Sequence, residues 1–444
     1  MISPVQVFRL AAALALFGGP VATPVPASEA DSAGRFADAR VGLFVDWGLF
    51  TLIGKDPGVM KRDRLPAAEY EKLPPRFQPN AFRAEDWVQA AEDAGARYLV
   101  VTAKGPDGFC LFDSALTGFD AVEATPYAKD PLAALAEACK KRRLPLGVVY
   151  SLRDWHHPDA GRRTAEERGR YAAYVSGQVT ELCTRYGPLA AVWFEADDTP
   201  GIDVADLCRL VRARQPSALA GVRFVGGRPP AKTEADVIAY LPEEGLKDED
   251  APPELPPPTP PTPLGEVVWA LPTAAPALTG SDPKGRSRDA TVALVRAVAT
   301  AAGRGQNLRL GVVARADGSI APDDLTRLKG LGQWLHSNGA SVYGTRRGPL
   351  LPQPWGVSTQ KERPNAGPGQ IFLHVFHPEG PIVLPNAALS LNARLLGGTT
   401  PLSVTRADGK GVIDLPDEGR DPADTVVVLS AQAPDPARVR ERLR

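Results

Sequence analysis

Eight short runs rich in apolar and β-branched residues, alternating with longer helical patterns, constrain this chain more than any other feature. They are Val41–Asp46, Arg97–Lys104, Pro145–Ser151, Leu189–Glu195, Ala218–Phe224, Asp236–Leu241, Glu266–Leu271 and Asn307–Val313. Several are continuously apolar, as strands are when both faces of their sheet are covered. Between them, Asp130-Pro131 reads as an N-cap followed by a first helical residue, with Leu132, Leu135, Ala136 and Cys139 on one face. A last helix opens at Pro322, carries the stripe Leu325, Leu328, Leu331 and Leu335, and stops at Asn338-Gly339. Eight strands alternating with helices predict an α/β chain closed into a (β/α)₈-type barrel. A doubly wound sheet would carry a glycine-rich phosphate turn, and the sequence has none.

From Thr345 onward the pattern changes to Gln370–Phe376, Pro381–Leu384, Leu389–Leu391, Thr400–Val404, Val412–Leu415 and Thr425–Leu429, separated by Gly, Pro, Asn and Asp. This predicts a small antiparallel β-sandwich. The proline-dense run Asp248–Gly265 reads as a stiff loop between two barrel strands. The expected organisation is therefore a signal peptide over 1–30, a barrel over 31–345 and a sandwich over 346–444.

Arg9 followed by Leu10–Phe17, with small residues ending at Ala27 or Ala30, has the layout of a cleaved export signal. The apolar run is too short for a membrane anchor, which needs roughly 20 residues. No later run is long enough to span a bilayer, so a secreted or periplasmic protein is expected. A formal net charge of −1 gives no footprint for nucleic acid. Cys110, Cys139, Cys183 and Cys208 lack paired spacing. They read as small buried side chains, with a disulfide the alternative in an exported protein. His156-His157 with Asp159 suggests a metal site only weakly, since adjacent histidines point apart, and no metal or other cofactor is expected.

The C-terminal ends of barrel strands carry function, and here they resemble the α-L-fucosidases, glycoside hydrolase family 29. The residues behind the resemblance are Gly42–Gly48 (GLFVDWG), Leu99–Phe112 (LVVTAKGPDGFCLF), Val149–Pro158 (VYSLRDWHHP), Tyr186-Gly187-Pro188 with Ala191–Glu195 (AVWFE), and Asn307–Ile320 with Trp334-Leu335 and Tyr343-Gly344-Thr345. They run in the family's order from about Arg35 to Arg347.

The resemblance implies a retaining glycosidase acting on a glycan or glycoside. One carboxylate attacks the anomeric carbon and a second, roughly 5 Å away, serves as acid and then base. Glu195 falls at the nucleophile position, where the family has Asp, and Asp197 and Asp198 read as loop residues beyond it. Leu241-Pro242-Glu243 matches the acid/base motif and makes Glu243 its candidate, with Glu244 the alternative. Arg223 aligns with a family arginine beside the reacting carboxylates. Asp46, Trp47, Lys104, Asp107, Tyr150 and Trp193 are the remaining substrate-binding candidates, and Asp46, Lys104, Tyr150, Glu195 and Arg223 are expected at one rim.

The sequence departs from the family at three places: Asp46 replaces a His, Gly105-Pro106 replaces a His-His pair, and Pro57-Gly58 falls where a Glu-Trp pair is usual. These losses remove sugar contacts. They support two expectations, a hydrolase of altered sugar specificity and a non-catalytic carbohydrate-binding or structural relative.

Overall fold

The computed structural model describes residues 29–162, 164–195, 199–225, 234–241, 264–271, 290–361, 369–377, 380–384, 391–407 and 409–431. Eight strands, β1 (Val41–Asp46), β2 (Leu99–Lys104), β3 (Leu146–Ser151), β4 (Ala191–Glu195), β5 (Leu219–Val225), β6 (Val237–Leu241), β7 (Leu264–Ala270) and β8 (Asn307–Val313), pair in chain order. All pairs are parallel, and β8 returns to β1 to close the barrel. The one notable shift from the sequence expectation is β7. Leu264 and Gly265, read as the end of the proline-dense loop, already pair with Val237 and Ile238.

Side chains alternate across the wall. Phe44, Val100, Val149, Trp193, Leu219, Val237, Ala239 and Val268 form one cluster inside the barrel. Their neighbours Leu43, Val45, Val101, Val148, Val192, Val222 and Leu310 join the larger cluster under the helices. This is the layered filling expected of such barrels. Trp193 is the bulkiest plug, and Gly147 and Gly221 make room for it. A Cβ at either would lie 2.5 or 2.4 Å from its indole.

The surrounding helices start and stop where local chemistry directs. In the helix Pro131–Arg142, the Asp130 carboxylate accepts from Ala133 N at 2.8 Å, and Leu132, Leu135 and Cys139 are buried while Ala136 is only partly so. The longest helix, Ala165–Arg185, carries a complete capping box between Thr164 and Glu167. Pro322–Asn338 buries Leu328, Leu331 and Leu335 and ends before Gly339. A helix at Glu29–Ala39, which begins inside the segment read as an export signal, was not expected. Its Phe36 packs into the interior cluster, and Asn307 Nδ2 donates to the Phe36 carbonyl at 2.7 Å.

The C-terminal region contains β9 (Arg346–Arg347), β10 (Gly356–Lys361), β11 (Gln370–Val375), β12 (Ile382–Leu384), β13 (Leu391–Leu395), β14 (Pro401–Leu402), β15 (Val404–Ala407), β16 (Lys410–Ile413) and β17 (Thr425–Ala431). They form a six-stranded sheet, ordered β14-β13-β17-β11-β10-β9, and a three-stranded sheet, ordered β12-β16-β15. Along β11 and β17, Leu373, Val375, Val427 and Leu429 face the small sheet, while Phe372, Val426 and Val428 join the barrel's cluster. At the junction, His374 and Asp424 are fully buried, with Nδ1 and Oδ2 at 2.6 Å. Arg296, from the helix Ala290–Gly303, donates to the carbonyls of Phe376, Pro422 and Ala423 at 2.9, 3.3 and 3.2 Å. The four cysteines are free and buried. Among the described residues no helix is long and apolar enough to cross a membrane.

Candidate active site

Parallel closure brings the last inward-facing residues of several strands to one mouth. In register, Ser151 pairs with Glu195 and Glu195 with Arg223, while Asp46 closes the ring opposite Val313. Glu195 and Arg223 form an ion pair, Nη2 to Oε1 3.0 Å, with side-chain exposures of 15% and 7%. Burial opposes the Arg223 charge, but Glu195 and Asp46 outweigh it and push its pKa up. A guanidinium held here fixes the orientation of the Glu195 carboxylate, which a nucleophile requires.

Asp46 is 5% exposed and accepts a hydrogen bond from the Thr102 hydroxyl at 2.6 Å. Burial is the main influence lifting its pKa to about 6; Arg223 and Thr102 oppose the rise, and Glu195 and Asp107 add to it. Asp107, in the turn after β2, accepts from the Tyr70 hydroxyl at 2.6 Å and from Phe109 N at 3.1 Å. Burial pushes it to about 6 as well. The mouth thus holds one ion pair flanked by two carboxyls that change charge in mildly acidic solution. Thr102 and Tyr70 were not singled out by sequence. Alternation along β2 would have found Thr102, whereas Tyr70 sits in the long connection after β1 with no local signal.

The other four candidates lie away from the mouth. Between Thr102 and Lys104 the β2–β3 register slips, turning Lys104 out of the lumen. Its ammonium reaches Arg153 O at 2.9 Å and Asp154 at 3.3 Å, and lies 4.8 Å from the Tyr150 ring. Tyr150 also points outward and donates to Gln178 at 2.7 Å. Trp47 is packed among Phe77, Phe82 and Trp87, with its indole N–H on Arg315 O at 3.0 Å. Trp193 fills the lumen below the mouth. Of the five side chains expected at one rim, Asp46, Glu195 and Arg223 lie there, whereas Lys104 and Tyr150 turn outward. The β2 irregularity and strict alternation along β3 are the physical reasons.

Glu243 and Glu244 lie outside the described residues, as do Asp197 and Asp198. His156 stacks on Phe119 at 4.1 Å and approaches Glu71 at 3.7 Å, whereas His157 packs against Tyr171 and Tyr174. The two imidazoles point apart. Among the described residues no group of three metal-ligating side chains occurs.

A cavity of about 1040 Å³ lies at the opposite end of the barrel, lined by Phe36, Tyr98, Leu146 and Leu219 among others. Its carboxylates, Asp38 and Glu137, sit beside Arg346 and Lys140. Strand starts rather than strand ends surround it, so size alone does not make it the reactive site.

Comparison with known proteins agrees with this architecture. The α-L-fucosidase family model matches residues 23–217. The α-L-fucosidase isoenzyme 1 structure from Paenibacillus thiaminolyticus is 28% identical, with TM-score 0.75, covering 91% of this chain and all of that one. An α-L-fucosidase structure from Bacteroides thetaiotaomicron shares the fold at TM-score 0.77 and 20% identity, over 93% of this chain and 97% of that one. Rattus norvegicus tissue α-L-fucosidase is 23% identical over 355 residues, 74% of this chain and 72% of its own length. The match spans only 30% of a related rice protein and 24% of α-L-fucosidase 1 of Arabidopsis thaliana.

Proposed function

We propose that this chain, which belongs to the α-L-fucosidase family, is a retaining glycoside hydrolase using Glu195 as nucleophile and Glu243 as acid/base on exported or extracellular glycans. The Glu195–Arg223 ion pair at the strand-end mouth of a closed barrel carries this reading. Arg223 holds the Glu195 carboxylate in place, so that it attacks the anomeric carbon of a bound glycoside. Glu243 protonates the departing oxygen and then draws a proton from the water that releases the sugar. Asp46 and Asp107 offer hydrogen bonds to sugar hydroxyls.

Glutamate in place of aspartate advances the carboxylate by about one C–C bond, and a misplacement of about 1 Å costs on the order of 100-fold. This offset, with the replacements at Asp46, Gly105-Pro106 and Pro57-Gly58, supports slow turnover of 4-nitrophenyl α-L-fucoside and a preference for another glycoside. A second reading, glycan binding without turnover, is favoured by the placement of Lys104, Tyr150, Trp47 and Trp193 in the scaffold rather than at the mouth.

A panel of aryl glycosides tests both. Hydrolysis that Glu195→Gln abolishes, and that azide restores to Glu195→Gly, supports the first. Unchanged hydrolysis in Glu195→Gln removes Glu195 from the mechanism. Glycan binding with no turnover of any member supports the second.

A further inference from the structure

The two carboxyls that flank the ion pair at the mouth are not equivalent. Both oxygens of Asp107 are engaged, one by the Tyr70 hydroxyl at 2.6 Å and one by Phe109 N at 3.1 Å. Asp46 is similarly buried, yet among the described residues it accepts a single hydrogen bond, from the Thr102 hydroxyl to Oδ1 at 2.6 Å. Its Oδ2 receives no donor from them. Nor does Asp46 form an ion pair among them, because Arg223 is given to Glu195 at 3.0 Å and Lys104 to Asp154 at 3.3 Å.

Strand geometry aims this carboxyl into the mouth. Phe44, two residues earlier on β1, points into the barrel interior, and alternation puts Asp46 on the same side, one layer nearer the opening. The Arg223 guanidinium carbon lies 5.4 Å from the Phe44 ring. The Glu195–Arg223 pair therefore reaches across to the wall that carries Asp46, and a sugar seated against Glu195 meets both.

A buried carboxylate is ordinarily paired with a cation, because leaving it bare is costly. The described residues supply no such partner here. An ionised carboxylate also only accepts hydrogen bonds, unlike the His that the family resemblance places at this position. The ligand group that meets Oδ2 is therefore a donor, and a positively charged donor completes the site better than a neutral hydroxyl. We propose that Asp46 is the counter-ion for an ammonium group on the bound sugar, so that the mouth selects glycosides of amino sugars. The proposal rests on the reading that this mouth binds sugar, and it holds with or without turnover.

Binding calorimetry near pH 7, above the value of about 6 to which burial lifts Asp46, tests this directly. The probes are methyl α-L-fucoside and methyl α-L-rhamnoside, each with the derivatives that carry an amino group in place of one ring hydroxyl, and the neutral N-acetyl forms of those derivatives. At least one amino derivative should bind roughly 10-fold or more tighter than both its parent and its N-acetyl form, the gain of a charge-assisted hydrogen bond. Asp46→Asn keeps an acceptor for Thr102 and removes the charge. In this variant the preference for the amine disappears, while the parent sugar binds within about threefold of its affinity for the unmutated protein.

No preference for any amino derivative in the unmutated protein overturns the proposal. A preference that survives in Asp46→Asn also overturns it, since the ammonium then sits on another carboxylate. Loss of parent and amine binding together does the same, by making Asp46 a general sugar ligand. Failure to hydrolyse any glycoside counts against the proposed function and leaves this comparison of affinities intact. Hydrolysis of neutral glycosides with no preference for the amine overturns this proposal alone.

Discussion

Asp46 should be less stable charged than neutral, and the size of that effect follows from its surroundings. Burial raises its pKa from 3.8 to about 6, with only Thr102 and Arg223 in opposition. A carboxyl whose folded pKa lies above its unfolded value adds stability that is fully present below the unfolded pKa. That stability is lost as pH rises through the folded one. The interval corresponds to roughly 3 kcal/mol for a group this enclosed. Asp46→Asn keeps an acceptor for the Thr102 hydroxyl and removes the charge. The variant should therefore match the unmutated protein near pH 3.5 and exceed it by about 3 kcal/mol at pH 8, with the change concentrated between pH 4 and 7. Urea unfolding of both proteins across that range, followed by intrinsic fluorescence of the barrel, measures the difference directly. A gap independent of pH, or an unmutated protein more stable at pH 8, would refute the argument that a desolvated carboxyl sits at this mouth.

Three further outcomes are expected. Gly221→Ala drives a methyl group to 2.4 Å from the Trp193 indole and should cost about 1–3 kcal/mol, recovered in calorimetry when Trp193 is reduced to Leu in the same chain. Asp424→Ala strands the buried His374 imidazole at the junction between barrel and sandwich and should lower stability by about 3 kcal/mol, measured by thermal unfolding. Mass spectrometry of the exported protein should show a mature chain starting after Ala27 or Ala30; recovery of intact Met1 would contradict the export signal.

The barrel was legible because several wall strands are continuous apolar runs, as burial on both faces requires, although the start of β7 was hidden in the end of the proline-dense loop. The sandwich was less so. Gly356–Lys361 (GVSTQK) forms a strand that its composition conceals, because Ser358 and Thr359 are buried at the junction and satisfied there by the carbonyls of Leu350 and Ser341. Arg346–Arg347 is too short to carry a pattern. Thr400–Val404 divides into two strands at Ser403. At the mouth, the strand-end positions of Asp46, Glu195 and Arg223 follow from register alone. The outward turn of Lys104 does not, since a slip in pairing between β2 and β3 leaves no trace in composition. Nor was the ion pair between Glu266 on β7 and Arg309 on β8 visible: a long connection separates them in sequence, and the parallel register of β7 with β8 makes them partners.

Arg296 holds the sandwich by three main-chain carbonyls, those of Phe376, Pro422 and Ala423. A grip on backbone oxygens is indifferent to the side chains that flank them. Substitutions at Pro422 or Ala423 that preserve the local path should leave this grip intact, whereas loss of the single arginine removes all three bonds together. This grip therefore concentrates its vulnerability on the barrel side. The outer surface of the sandwich is left free to diverge among relatives without loosening its attachment.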